Sequence, residues 1–172
     1  RITAEEADCM YSGIMIDTNN FMTKTGVRTF EAAAFLRRNG ADVTRVRKLF
    51  RENATEYKAK ADAVSQAEIY RNVFAISTCT SEDIESPTIV GAQAANELLN
   101  IKGVKASFVL TEYQNQIFVS ARSIDEINVQ IIMEKLGGGG HLTMAGAQTK
   151  GIDLEEGRAR LLQAIDEYYD TL

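Results

Sequence analysis

The residues best suited to chemistry are four consecutive glycines that end at the single histidine of the chain. They are Gly137, Gly138, Gly139, Gly140 and the following His141. Each glycine in regular structure loses about 0.5–1 kcal/mol against alanine, so this stretch needs backbone without side chains. Two explanations fit: a ligand approaches the N–H groups of an anion-binding loop, or the loop is a flexible connection between a helix and a strand. The imidazole is then either a phosphate or metal neighbour, or a structural histidine.

A second candidate is an aspartate near the start of the chain. Asp17 directly follows the apolar run Gly13-Ile14-Met15-Ile16 and precedes Thr18-Asn19-Asn20. A carboxylate at the rim of a core can be held rigidly as a metal ligand, and the hydroxyl and amide groups beside it can orient it. The same pattern also fits an aspartate that caps a turn after a helix.

The third candidate is Arg122, which lies with Ser120 and Ser123 at the end of a predicted strand. The planar guanidinium presents a fork of N–H donors that suits phosphate, and the hydroxyls flank it. A surface ion pair is the alternative explanation for this arginine.

Two regions of different character must position these residues. Residues 1–70 are predicted to be helical, and within them 52–70 carries only a thin apolar stripe, which suits a linker helix or a homodimer contact. Residues 71–172 alternate strands with helices. The predicted fold class is therefore α/β, with a helical piece at 1–51, a linker helix at 52–70 and a mixed α/β lobe at 71–172.

Within the lobe, hydrophobic periodicity predicts where the glycines lie. Strands are predicted at 73–77, 107–112 and 116–121, the last two joined as a hairpin. Val129, Ile132, Met133 and Leu136 follow the spacing of a helix that ends at the glycines. Ser86-Pro87 begins an earlier helix, and Asp153 begins the last one.

Composition excludes several classes of function. The 172 residues are 45% hydrophobic and 25% charged, which is typical of an ordered globular chain, and the net charge is −5. An acidic chain without a dominant basic face does not bind duplex DNA non-specifically. Cys9 and Cys79 are far apart, which favours a reducing compartment without a disulfide or zinc framework. No apolar run approaches the roughly 18 residues of a membrane span, and a start at Arg1 rather than Met predicts a longer parent chain.

Together these motifs resemble a known family. Residues 137–141, followed by Met144-Ala145-Gly146, resemble the glycine-rich motif of the DHH-associated domain of DHH phosphoesterases. Residues 13–18 resemble the last metal-binding motif of the DHH catalytic domain. Residues 17–21, 25–33, 120–123 and 128–130 are similar to the membrane-anchored cyclic-di-AMP phosphodiesterases of Gram-positive bacteria, the GdpP type. The resemblance covers nearly the whole chain.

The resemblance implies a fold and a reaction. The chain would comprise the C-terminal part of a DHH catalytic domain and a DHH-associated lobe, in an enzyme that uses two Mn²⁺ ions to hydrolyse cyclic-di-AMP to pApA. Asp17 corresponds to a metal ligand. His141 corresponds to a catalytic residue and, with the glycines, to the loop over the substrate phosphate. Arg122, assisted by Ser120 and Ser123, corresponds to a substrate-binding position.

The same resemblance locates the parent protein at the cytoplasmic face of the bacterial membrane, with no membrane contact by this part. The Asp-His-His motif and the His-x-x-x-Asp-x-Asp motif of the family are absent from this sequence. We therefore expect the isolated chain to be inactive, and near-normal hydrolysis of cyclic-di-AMP by purified chain with Mn²⁺ would contradict the assignment of Asp17.

Three alternatives remain open. One is the soluble DHH phosphoesterase that degrades short RNA oligonucleotides and dephosphorylates pAp. Another is a nucleotide- or RNA-binding accessory module, against which the acidic pI and Asp17 count. The third is an α/β domain whose glycine loop is only a connection. The sequence leaves open the base specificity and the choice between cyclic and linear substrates.

Overall fold

The computed structural model describes residues 1–124 and 126–172. These form two compact units, Arg1–Glu52 and Asn53–Leu172. The predicted α/β class is confirmed, with helices in the first unit and a six-stranded mixed sheet flanked by helices in the second.

The first unit consists of the helices α1 (Ala4–Asp17), α2 (Val27–Arg38) and α3 (Val43–Leu49). A capping box begins α1: the Glu6 N–H donates to Thr3 Oγ1 at 3.2 Å and the Thr3 N–H donates to Glu6 Oε2 at 2.8 Å. A small core centres on Ala7, Leu36 and Ala41.

One buried carboxylate joins α1 to the start of α3. Asp8 accepts hydrogen bonds from the Asp42 N–H and from Arg45 Nε, both at 2.7 Å. These donors stabilise the ionised form, so the Arg45 side chain and then the Asp42 N–H lower the pKa of Asp8.

The second unit contains the remaining elements, in chain order. They are α4 (Ala54–Ser65), β1 (Glu68–Tyr70), β2 (Phe74–Cys79), α5 (Pro87–Leu98), β3 (Ala106–Tyr113), β4 (Gln116–Ser123), α6 (Val129–Glu134), β5 (Gly139–Gly140), β6 (Met144–Lys150) and α7 (Leu154–Tyr169). The strand order is β1-β2-β3-β4-β6-β5. Only β2 and β3 are parallel, and α5 connects them. The predicted β3–β4 hairpin is confirmed, with Gln114 and Asn115 both at positive φ in the turn.

Helices pack on both faces of this sheet. One face packs its apolar residues against α6 and α7, through side chains such as Ile132 and Ile165. The opposite face packs against α4 and α5, through Ala63 and Leu98.

Residues 52–70 differ from the predicted linker helix. The helix ends at Ser65 and strand β1 follows, and the helix belongs to the second unit. The predicted apolar stripe is not the packed face, since Tyr57 is exposed. The helix packs instead through small residues, because alanine lets backbones approach closely: Ala59 and Ala63 are buried, and the Ser77 hydroxyl donates to the Ala63 carbonyl.

Candidate functional site

Strand β4 distributes the predicted site residues over both faces of the sheet, because side chains alternate along a strand. Ile117, Val119, Ala121 and Ser123 are buried, whereas the residues between them are half-buried. Ser120 and Arg122 therefore share the face on which α5 packs, and Ser123 faces the other way. On β6 the register partner of Arg122, Met144, is exposed, so the β4–β6 part of this face is accessible.

Arg122 is held by neutral groups. Its Nε donates to Asn96 Oδ1 of α5 at 3.1 Å, and its Nη1 donates to the Ala121 carbonyl at 2.9 Å. No carboxylate among the described residues forms an ion pair with it. Burial lowers the pKa of the Arg122 guanidinium, yet arginine stays charged in proteins. A half-buried cation without a counter-charge is suited to bind an anion.

Beside Arg122, one row across the sheet is nearly free of side chains. In the strand register Ser120 pairs with Gly146, and Gly146 pairs with Gly139. Residues directly opposite each other in antiparallel strands present the same face. This row therefore presents the Ser120 hydroxyl on β4 and then bare backbone at Gly146 on β6 and Gly139 on β5, next to the Arg122 guanidinium.

Three of the four consecutive glycines are explained by the fold itself. Gly137, just after α6, has φ +78°, and the N–H groups of Gly137 and Gly138 donate back to the Glu134 and Met133 carbonyls at 3.0 and 2.9 Å. This is the Schellman arrangement, which favours glycine. A Cβ on Gly138 would lie 2.1 Å from the Gly146 carbonyl oxygen.

Gly140 has φ +147°, and a Cβ there would lie 2.5 Å from the Ala145 Cα. Gly139 is different, because a Cβ on it would meet no described atom within 4 Å and its φ is not in the left-handed region. The fold leaves the absence of a side chain at Gly139 unexplained, so of the four it is the candidate for ligand approach.

The loop after the glycines is attached to the end of β4. The Ser123 hydroxyl donates to the Leu142 carbonyl at 3.1 Å, and the Ser123 N–H donates to the Thr143 carbonyl at 3.0 Å. The Val129 N–H at the start of α6 also donates to the Leu142 carbonyl, at 3.0 Å. In this structure Ser123 thus positions the loop, on the face away from Arg122.

His141 lies at the tight turn between β5 and β6. Its N–H donates to the Met144 carbonyl at 2.7 Å, and its side chain is exposed. None of the described residues makes a hydrogen bond to the imidazole, so the ring is available to a ligand or to another part of a longer protein.

Asp17 is the last residue of α1 in the first unit. Its side chain is 73% exposed and lies 3.4 Å from Lys24 Nζ. It lines an open groove between α1 and α2 together with Arg28 and Glu31. Within residues 1–124 and 126–172, no group of three or more His, Cys, Asp and Glu side chains could hold a metal ion. Asp17 could supply one ligand, but these residues do not fit a two-metal site by themselves.

Two features of the site were not predicted from the sequence. Asn96 lies 26 positions before Arg122, and no local pattern connects them. Gly146 enters the row through the register between β4 and β6, which no pattern within either strand indicates.

The second unit is thus a mixed α/β lobe. On the accessible part of one sheet face it presents Arg122, which has no carboxylate partner among the described residues, beside bare glycine backbone. A model of the DHHA1 domain family matches residues 73–171. The chain belongs to the DHHA1 family, which confirms the resemblance inferred from its motifs.

Similar proteins extend the match beyond the lobe. The chain is 46% identical over 165 residues to the cyclic-di-AMP phosphodiesterase PdeA of Listeria monocytogenes, covering 95% of the chain and 25% of that protein. It is 41% identical over 172 residues to the cyclic-di-AMP phosphodiesterase GdpP of Bacillus subtilis, covering 99% and 26%. The chain thus spans about a quarter of the length of these relatives.

A solved structure supports the fold. An exopolyphosphatase-related protein from Bacteroides fragilis has a TM-score of 0.84 and 26% identity, with 97% of this chain and 51% of that chain covered. Among the described residues, no helix is long and apolar enough to span a membrane.

Proposed function

We propose that the chain is the substrate-binding lobe, with an adjoining part of the DHH catalytic domain, of a phosphodiesterase that hydrolyses cyclic-di-AMP to pApA. The observation that carries this proposal is Arg122, a half-buried cation that only neutral groups contact among the described residues. The names of the relatives at 46% and 41% identity support a cyclic dinucleotide as the substrate.

In this proposal each site residue has a distinct part. The free edge of the Arg122 guanidinium binds a phosphate oxygen, because a fork of charged donors matches that group. Ser120 donates a further hydrogen bond from the neighbouring row. The bare backbone at Gly139 lets the nucleotide lie close to the sheet, and His141 contacts the phosphate from the end of β5.

The net charge of the chain makes this local cation necessary. At −5, the chain as a whole repels a dinucleotide, so affinity has to come from short-range hydrogen bonds rather than from a general positive field. This also fits a small nucleotide better than duplex DNA, which needs many phosphate contacts.

Manganese belongs to the proposal through the family resemblance, with Asp17 as one carboxylate ligand. In the parent protein the metal would activate water and stabilise the leaving oxygen. The other ligands would have to come from the rest of that protein.

A related alternative is a linear substrate. The chain is 29% identical over 171 residues to the bifunctional oligoribonuclease and PAP phosphatase NrnA of Thermus thermophilus, covering 96% of the chain and 51% of that protein. The guanidinium and the bare backbone row would accept a linear dinucleotide equally well, so the test compares both ligands.

Calorimetric titration of cyclic-di-AMP and of pApA into the chain tests the proposal. Arg122→Met should weaken binding about tenfold or more, because a hydrogen bond to a charged group contributes about 1.5–3 kcal/mol. Arg160→Met is the matched control, since Arg160 is exposed and paired with Glu156 on α7, which packs on the opposite face.

Equal affinity of wild type and Arg122→Met, with both folded by circular dichroism, would contradict the phosphate-binding role. Hydrolysis of both dinucleotides by the full-length parent protein and its Arg122→Met variant then identifies the preferred substrate.

A further inference from the structure

We propose that Asn96 is a positioning residue for Arg122: its amide oxygen orients the guanidinium for an anionic ligand without neutralising it. This inference rests on the proposed function, because it assigns the role of a residue behind the same phosphate-binding group.

The hydrogen bonds around Arg122 leave a defined edge of the guanidinium free. Asn96 Oδ1 accepts from Nε at 3.1 Å and the Ala121 carbonyl accepts from Nη1 at 2.9 Å. An arginine has five N–H groups, so among the described residues three remain without a partner, all on Nη1 and Nη2. Two contacts from different nitrogens therefore fix the plane of the group and leave N–H groups of both terminal nitrogens available to a ligand.

The neutral partner distinguishes Arg122 from other arginines of the chain. Several of those are paired with carboxylates: Arg45 with Asp8, Arg71 with Asp166, Arg158 with Glu68 and Arg160 with Glu156. An aspartate at position 96 would have nearly the same shape as the asparagine. It would neutralise the guanidinium and compete with a phosphate for it, whereas the amide supplies the hydrogen bond alone.

Close packing of α5 on the sheet places the amide over β4. Ala94 and Ala95 are fully buried, and the Ser107 hydroxyl donates to the Ala95 carbonyl. Gly91 lies against Thr111, where a Cβ would be 2.6 Å from Oγ1. These small residues hold the helix near the strands, so Asn96 is fixed by the fold rather than by the ligand.

The substitution Asn96→Asp tests the inference because it changes charge and not shape. We expect binding of pApA to the chain to weaken about tenfold or more, since part of the charged hydrogen bonding goes to the new carboxylate. We expect the melting temperature to stay the same or rise, because a half-buried cation gains a partner. A merely structural role would instead lower stability together with affinity.

Asn115→Asp is the matched control. It adds the same charge in the β3–β4 turn, at the other end of β4 from Arg122, and aspartate tolerates the φ of +58° there. Its affinity for pApA should equal that of the wild type.

A second measurement needs no ligand. In ¹⁵N-edited NMR at neutral pH, the Nε–Hε signal of Arg122 should be protected from exchange in the wild type and lost in Asn96→Ala. Identical signals in the two proteins would overturn the positioning role.

The outcomes separate the two proposals. If the wild type binds pApA, Arg122→Met does not, and Asn96→Asp binds like the wild type, the role of Asn96 is refuted and the proposed function stands. If Arg122→Met binds like the wild type, or the wild type binds neither dinucleotide, the phosphate site itself is refuted and the role of Asn96 with it.

Discussion

Two neighbouring glycines allow the structural and the ligand-binding explanations of the glycine run to be separated. Gly138 and Gly139 are adjacent on the same short segment, and alanine adds one methyl group at either position. At Gly138 the methyl carbon would lie 2.1 Å from the Gly146 carbonyl oxygen and 2.7 Å from the Ala147 Cα. At Gly139 it would meet no described atom within 4 Å.

The magnitude for Gly138→Ala follows from these contacts. Overpacking against well-packed groups costs typically about 1–3 kcal/mol and occasionally more. The upper part of this range applies here, because backbone atoms within a sheet cannot move aside as a flexible side chain can. Loss of glycine freedom in the unfolded chain offsets about 0.4–1 kcal/mol. The net loss of about 2 kcal/mol should lower the melting temperature by roughly 8 °C in a unit of this size.

Gly139→Ala should behave in the opposite way. Its stability should stay within about 0.5 kcal/mol of the wild type or rise slightly, because the backbone there has no need of a left-handed φ. Its affinity for pApA should fall about tenfold or more if the nucleotide lies against the bare backbone, since displacing a phosphate from a charged hydrogen bond costs about 1.5–3 kcal/mol.

Differential scanning calorimetry and isothermal titration of the two variants measure both quantities. A Gly138→Ala protein as stable as the wild type would refute the close contact between residue 138 and β6. A Gly139→Ala protein that binds pApA as the wild type does would refute ligand approach at this position and favour the explanation of the run as a connection only.

Two further predictions concern the serines of β4 and the buried aspartate of the first unit. Ser123→Ala should destabilise the second unit by about 1 kcal/mol, because the Leu142 carbonyl loses a hydrogen bond. Ser120→Ala should leave the melting temperature unchanged but weaken pApA binding. The reverse pattern would contradict the assignment of the two serines to opposite faces of the sheet. The folded-state pKa of Asp8 is lowered below that of the unfolded chain, so its stabilising contribution is fully present above about pH 4 and is lost as the pH falls through the folded value. Asp8→Asn should therefore be less stable than the wild type at neutral pH, and its stability, followed by circular dichroism, should depend less on pH in the acid range. Asp17→Asn, which alters an exposed carboxylate, should be as stable as the wild type at neutral pH. Equal acid unfolding curves for Asp8→Asn and the wild type would refute the stabilising role of the Asp8 carboxylate.

The helix boundaries show how much the sequence determines locally. The side chains of Thr3 and Asp153 accept hydrogen bonds from N–H groups three residues away. Helix α5 begins at Pro87 as predicted, although the Ser86 side chain makes no capping hydrogen bond. Such signals act within one turn of chain, so they can be recognised without knowledge of the fold. The position of the glycine run can likewise be predicted locally, because helical periodicity in the preceding residues places it after α6.

The short strands show where local signals end. β1 and β5 have three and two residues, and they exist only because β2 and β6 offer partners. Likewise the helix at 54–65 carries too few large apolar residues to indicate that it is packed. The burial of its alanines can be explained only when the position of the sheet beneath them is known.

The candidate site also combines features that local sequence signals predict with features that depend on contacts between distant segments. By itself the sequence determined the residue types that suit phosphate and metal chemistry, and the motifs by which the chain resembles the DHH-associated family. The tertiary structure alone decided that α5 covers part of the face shared by Ser120 and Arg122, that Asn96 meets Arg122, and that three of the four glycines serve the backbone. The physical reason is that these relations depend on strand register and helix packing between distant segments, and such contacts form only when the whole sheet is assembled.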